Sequence, residues 1–152
     1  MNFSKRAVLA ITVAVGFSSA AWSAAPSTGL GEAWPNSQDV SLSPHYHVYR
    51  FVRDGIQYIQ VNDLGGTVHA AIAAANGAVL VLPIGVDAAK AISAAAGTTA
   101  SSAAETVYQD AHVSVSATPL TDGSLQILAT PKAQEDTCSN PGECSNVVSH
   151  PQ

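Results

Sequence analysis

The stretch YHVYRFVRDGIQYIQVND, Tyr46 to Asp63, reads as two β-strands joined by a tight turn. Two runs rich in Val, Ile, Tyr and Phe flank Asp54-Gly55. An Asp-Gly pair suits a two-residue type I′ turn, because both central positions take φ > 0. That turn sets the register: Arg53 faces Ile56, Phe51 faces Tyr58, Tyr49 faces Gln60 and His47 faces Asn62. Side chains alternate across a strand. One face therefore carries His47, Tyr49, Phe51, Ile56, Tyr58 and Gln60. The other carries Val48, Val52, Ile59 and Val61, interrupted by Arg50. Neither face is purely polar, so both are expected to be covered near the turn end.

Downstream, LGG at Leu64 to Gly66 is a further tight turn, and TVHAAIA, Thr67 to Ala73, fits a third strand. Asn76-Gly77 repeats the hairpin signal. Ala78 to Ile84, AVLVLPI, is an apolar run of strand length that Pro83 must end or interrupt at a non-bonded position. A meander is the simplest topology, since sequential strands usually pair. Asp87 to Ala96, DAAKAISAAA, predicts a short helix, with Asp87 at its start and Gly97 at its end. Thr106 to Ala117 alternates over VSVS and reads as a strand. A turn at Thr121 to Ser124 leads to a partner strand at Leu125 to Ala129.

Upstream, Lys5 and Arg6 precede the apolar run AVLAITVAVGF, Ala7 to Phe17, and small residues follow. This is the pattern of a secretory signal peptide. The apolar run is shorter than the roughly 20 residues a membrane-spanning helix needs. Small residues at Ala21 and Ser23 favour cleavage after Ser23, within a window from Ala21 to Pro26. The expected organisation is a signal peptide at 1–23, an irregular lead-in at 24–44 pinned by Trp34, one β-rich domain at 45–132, and an irregular tail at 133–152. Loss of the leader removes two of the six basic residues and leaves four against eleven acidic ones, a net charge of −7. Nucleic acid and anionic membranes are poor partners for such a surface, and no membrane anchor is expected after cleavage. Cys138 and Cys144 flank an Asn-Pro-Gly turn in the tail. In an exported protein their default state is a disulfide.

The segment HVYRFVRDGIQYIQVNDLGGTV with the apolar strand after it resembles small uncharacterised exported proteins of Gram-negative bacteria. The resemblance covers the hairpin region, implies export to the periplasm or beyond, and carries no activity with it.

Histidine offers the first candidate chemistry. His45 and His47 form H-x-H, a spacing that puts both rings on one face of a strand, where they could take zinc or copper with a third ligand. His69 is the candidate third. With a turn at Gly65-Gly66 it lies opposite Asn62, which lies opposite His47, so the two rings share a face roughly 9–10 Å apart. Catalytic patterns are missing. No serine sits in G-x-S-x-G, no glycine loop opens a helix, and Asp110 with His112 has no marked nucleophile beside it. No enzyme activity and no cofactor are expected. The second candidate is an interface. Tyr49, Arg50 and Tyr58 on the hairpin suit a binding surface, where Tyr and Arg are enriched.

These readings combine into an α+β, mostly β fold: a single antiparallel sheet of about six strands, a meander plus a hairpin, with one short helix. The expected role is a small envelope binding protein whose partner is another envelope protein or a cell-wall component. The alternative is a metal binder using His45, His47 and His69.

Overall fold

The structure, a computed structural model, describes residues 27–132. The expected signal peptide with its cleavage site, and the expected Cys138–Cys144 disulfide, lie outside the described residues.

The described chain is mostly β and forms two four-stranded sheets. The first is a meander of β1 (Tyr46–Arg53), β2 (Ile56–Asp63), β3 (Val68–Ala75) and β4 (Ala78–Leu82), ordered β1-β2-β3-β4. Both of its hairpin turns follow the chemistry of their residues. Asp54 and Gly55 take φ of 52° and 78°, and Asn76 and Gly77 take 50° and 75°, as a type I′ turn requires. The β1–β2 register matches the expected pairs, with Phe51 opposite Tyr58, Tyr49 opposite Gln60 and His47 opposite Asn62. The second sheet contains β5 (Ile92–Ser93), β6 (Glu105–Gln109), β7 (Val113–Pro119) and β8 (Leu125–Pro131), ordered β5-β8-β7-β6. Only the short β5 runs parallel to its neighbour, β8.

Three expectations are corrected. The single sheet of six strands is two sheets packed through one core. Val48, Ile59, Val61, Ala70 and Ile72 of the first sheet bury against Val107, Val113, Val115, Leu125 and Ile127 of the second. Each meander has one strongly apolar face, and the faces cover each other, as layered packing demands. The strand expected over Thr106 to Ala117 is broken into β6 and β7. At the break, the Asp110 carboxylate accepts the N–H groups of His112 at 2.7 Å and Val113 at 2.9 Å, an Asx turn. The helix expected over Asp87 to Ala96 is one turn of 3-10 helix, Ala88–Lys90, followed by β5. Alanine propensity is small per residue, and so short a helix needs a packed apolar face. Asp87 makes no capping bond to that turn, because its carboxylate is committed elsewhere. Among the described residues no helix is long and apolar enough to cross a membrane.

The lead-in is irregular but attached. Its first half crosses the outer face of the meander. Gly31 N–H donates to Gln60 Oε1 at 2.6 Å, Gln60 Nε2 donates to the Glu32 carbonyl at 2.8 Å, and Asn62 Nδ2 donates to the Ala33 carbonyl at 2.8 Å. Gln60 and Asn62 are fully buried. Buried amides left unbonded would cost about 1–3 kcal/mol each, so these bonds hold the lead-in in place. Its second half closes one side of the sandwich. Val40 N–H bonds the Val48 carbonyl at the edge of β1, and Leu42 N–H bonds the Val107 carbonyl in β6.

Candidate functional site

The four histidines of the described region part ways. His47 sits in β1 on the outer face, where its ring meets the edge of Trp34 at 5.6 Å between centroids and stacks beside Tyr49 at 6.2 Å. The indole lies on Gly66, close enough to leave no room for a side chain there. Trp34 thus pins the lead-in to the meander. The carboxylate of Asp39 receives His47 Nδ1 at 2.6 Å and the N–H groups of Val48 and Ser41 at 3.0 and 2.9 Å. Burial pushes the Asp39 carboxyl up, but His47 and the two backbone donors outweigh it and hold the group below its usual range. Since a carboxylate only accepts, Nδ1 of His47 carries the proton.

His45 lies just before β1, outside the strand, and turns to the second sheet. Its Nδ1 is 3.1 Å from Glu105 Oε2. The H-x-H spacing therefore does not place both rings on one strand face. His69 lies in a β-bulge. Asn62 pairs with Val68 and Val61 with Ala70, which leaves His69 as the extra residue. The loop before it is longer than a Gly65-Gly66 turn, because Asp63 Oδ1 gathers the N–H groups of Gly65 and Thr67, both at 2.8 Å. His69 donates from Nδ1 to Asp87 Oδ2 at 2.7 Å, and its Nε2 stands 3.6 Å from Asp63 Oδ2. Asp87 is buried and also accepts the Leu125 N–H of β8 at 3.0 Å. The Asp63–His69–Asp87 chain thus ties β3 to β8, one sheet to the other. Burial raises the Asp63 carboxyl, but the hydrogen bonds from Thr67 and Gly65 and the nearby His69 outweigh it, so it ends below its usual range. His112, beyond the Asx turn, is exposed.

His45, His47 and His69 consequently face separate carboxylates, Glu105 for the first, Asp39 for the second, and Asp63 with Asp87 for the third. Among the described residues no three His, Cys, Asp or Glu side chains converge to hold a metal ion. Asp39, Asp63 and Asp87 had no sequence signal as partners, since each is distant along the chain from what it touches or looks like an ordinary turn residue. Gln60 and Asn62 did carry one: two amides at alternate positions, interleaved with the apolar Ile59 and Val61.

The interface residues are also redistributed. Tyr49 is buried. Arg50 is exposed and, as its neighbour in a strand, faces the opposite side. Tyr58 remains accessible and shares the outer face with Phe51 and Arg53. These three, with Ser27 to Leu30 and Glu32 of the lead-in, line an open groove of about 690 Å³. Phe51 is its buried floor, and Arg53 forms no ion pair among the described residues. An unpaired guanidinium next to aromatic faces can bind a carboxylate in bidentate fashion while the apolar wall takes a side chain.

No known protein family, no curated protein and no solved structure matches this chain.

Proposed function

We propose that this chain is an exported, non-catalytic binding protein of the bacterial envelope, working in the periplasm or outside the cell. Its ligand is an extended peptide segment that ends in a carboxylate, presented by another envelope protein or by a cell-wall component. The observation that carries this reading is Arg53, without a carboxylate partner among the described residues, at the groove floored by Phe51 and walled by Tyr58 and Leu30. The groove is within the usual size range of ligand sites, about 300–1,000 Å³. The leader-like start of the sequence supports the location.

The test uses N-acetylated tetrapeptides ending in phenylalanine, as free acids and as amides, titrated into the mature protein by NMR. The free acid should shift the signals of Phe51, Arg53 and Tyr58, and the amide should bind about tenfold more weakly, as loss of a charge-assisted pair implies. Arg53→Gln should erase the difference between acid and amide. Equal binding of both peptides to wild-type protein, or shifts confined to other surfaces, overturns the reading.

A further inference from the structure

The two edges of the meander are treated differently. At β1 the outward backbone groups are used: Val48 N–H by Asp39, the Val48 carbonyl by Val40, and the Arg50 carbonyl by the Ser37 hydroxyl. At β4 nothing comparable happens among the described residues. In a two-residue hairpin the residues flanking the turn bond each other, and every second pair after them does the same. Ala78, Leu80 and Leu82 therefore point their backbone groups at Ala75, Ala73 and Ala71 of β3. Val79 and Val81 point theirs outward, and no backbone or side-chain group among the described residues bonds them. The strand carries none of the usual protections of an edge, neither charge nor bulge, and Pro83 lies just beyond its end. Leu80 is 64% exposed, and Val86, 71% exposed, follows close behind.

We propose that β4 is the docking edge for a second copy of this chain, joining two meanders into one eight-stranded sheet about a two-fold axis through Leu80. The strand AVLVL suits itself. Placed antiparallel to a copy and centred on Leu80, Val79 of one protomer meets Val81 of the other. Those are the residues whose N–H and carbonyl groups point outward, so four hydrogen bonds form with none left over. Leu80 then faces its own counterpart at a non-bonded position, where side chains approach most closely. Leu82 meets Ala78. Charge points to the same occupant. The whole chain is acidic, at −5, yet from Leu64 to Val86 it holds no Asp, Glu, Lys or Arg. Two copies can approach along this neutral strip with their acidic surfaces apart.

So short an interface is weak, and the experiment must span a wide concentration range. Sedimentation of the mature protein from about 10 μM to 1 mM, the span over which small interfaces assemble, should show a monomer–dimer equilibrium. Hydrogen exchange across the same range should slow at the amides of Val79 and Val81 as concentration rises, while the amide of Leu80, bonded inside the sheet, stays constant. Leu80→Lys should weaken the dimer at least about tenfold by placing like charges opposite each other. Val81→Pro removes an outward donor, together with a side chain packed on the core, and should have the same effect in a variant whose dichroism shows it folded. A monomer at every concentration overturns the proposal. So does a dimer whose Val79 and Val81 amides exchange freely, or protection at those amides that is independent of concentration, which would mean another occupant such as the chain's own tail.

Discussion

Gly85 shows how much a single position can be asked to do. It adopts φ of +106°, and a Cβ there would lie 2.3 Å from the His69 carbonyl oxygen. The close approach lets Val86 and Asp87 donate their N–H groups to the Val68 and His69 carbonyls, at 2.9 Å each. It thereby seats the Asp87 carboxylate between His69 and Leu125. Gly85→Ala should cost about 3 kcal/mol or more, since it combines strain with a backbone clash. Gly55→Val should cost only about 1–3 kcal/mol, because Gly55 needs its positive φ but has open space around it. Urea unfolding of both variants checks the ranking, and a larger loss at Gly55 would contradict it. The turn glycine was legible from its Asp-Gly context. Gly85 was not, because its importance comes from a strand that lies sixteen residues earlier and from a bulge that no local pattern announces. The same blindness affected the histidines. Spacing placed them on strands correctly in part, but the carboxylates that claim each ring arrive from other elements.

At the scale of elements, Asp39 ties the second half of the lead-in to β1 through His47 and the Val48 N–H. That carboxyl is held below its usual range in the folded protein. A carboxyl with a depressed folded pKa contributes its stability in full above the unfolded pKa, about 3.9, and loses it as pH falls through the folded value. Asp39→Ala should therefore lower stability by about 1–2 kcal/mol at pH 7, and the gap from wild type should close progressively below about pH 4. Urea midpoints measured between pH 7 and pH 3 test this, and a gap that widens in acid would be inconsistent with it. The strands were readable because Val, Ile and aromatic residues alternate between unmistakable turns, down to the pairing of Phe51 with Tyr58. The helix was not legible, because alanine counts toward a helix only when something packs against it. DAAKAISAAA offers Ile92 alone, and Ile92 became β5.

For the molecule as a whole, the core belongs to both sheets, so neither should survive without the other. Ile127 of β8 is fully buried among residues from both layers. Ile127→Ala should cost about 3 kcal/mol and should shift the fluorescence of Trp34, on the far side of the first sheet, by the same amount as the far-ultraviolet dichroism. Separate transitions for the two probes would show that the sheets unfold independently. That the chain divides into two layers was not legible, since a pattern of inward and outward residues is the same whether the cover is a helix, a loop or a second sheet.

Every strand pairing except β5 with β8 joins neighbours along the chain. In kinetic terms these hairpin pairings can close locally. The two-residue turns at Asp54-Gly55 and Asn76-Gly77 keep closure entropy small, so the β1–β4 meander can nucleate by itself. The lead-in is a further long-range element, whose bonds to Gln60 and Asn62 reach across 29 residues in two of three cases. It cannot find its seat until β2 exists. The earliest part of the described chain to be synthesised is thus placed only after β2 has formed. Refolding should show a fast rise in β dichroism followed by a slower Trp34 phase, and Asn62→Ala should retard only the second.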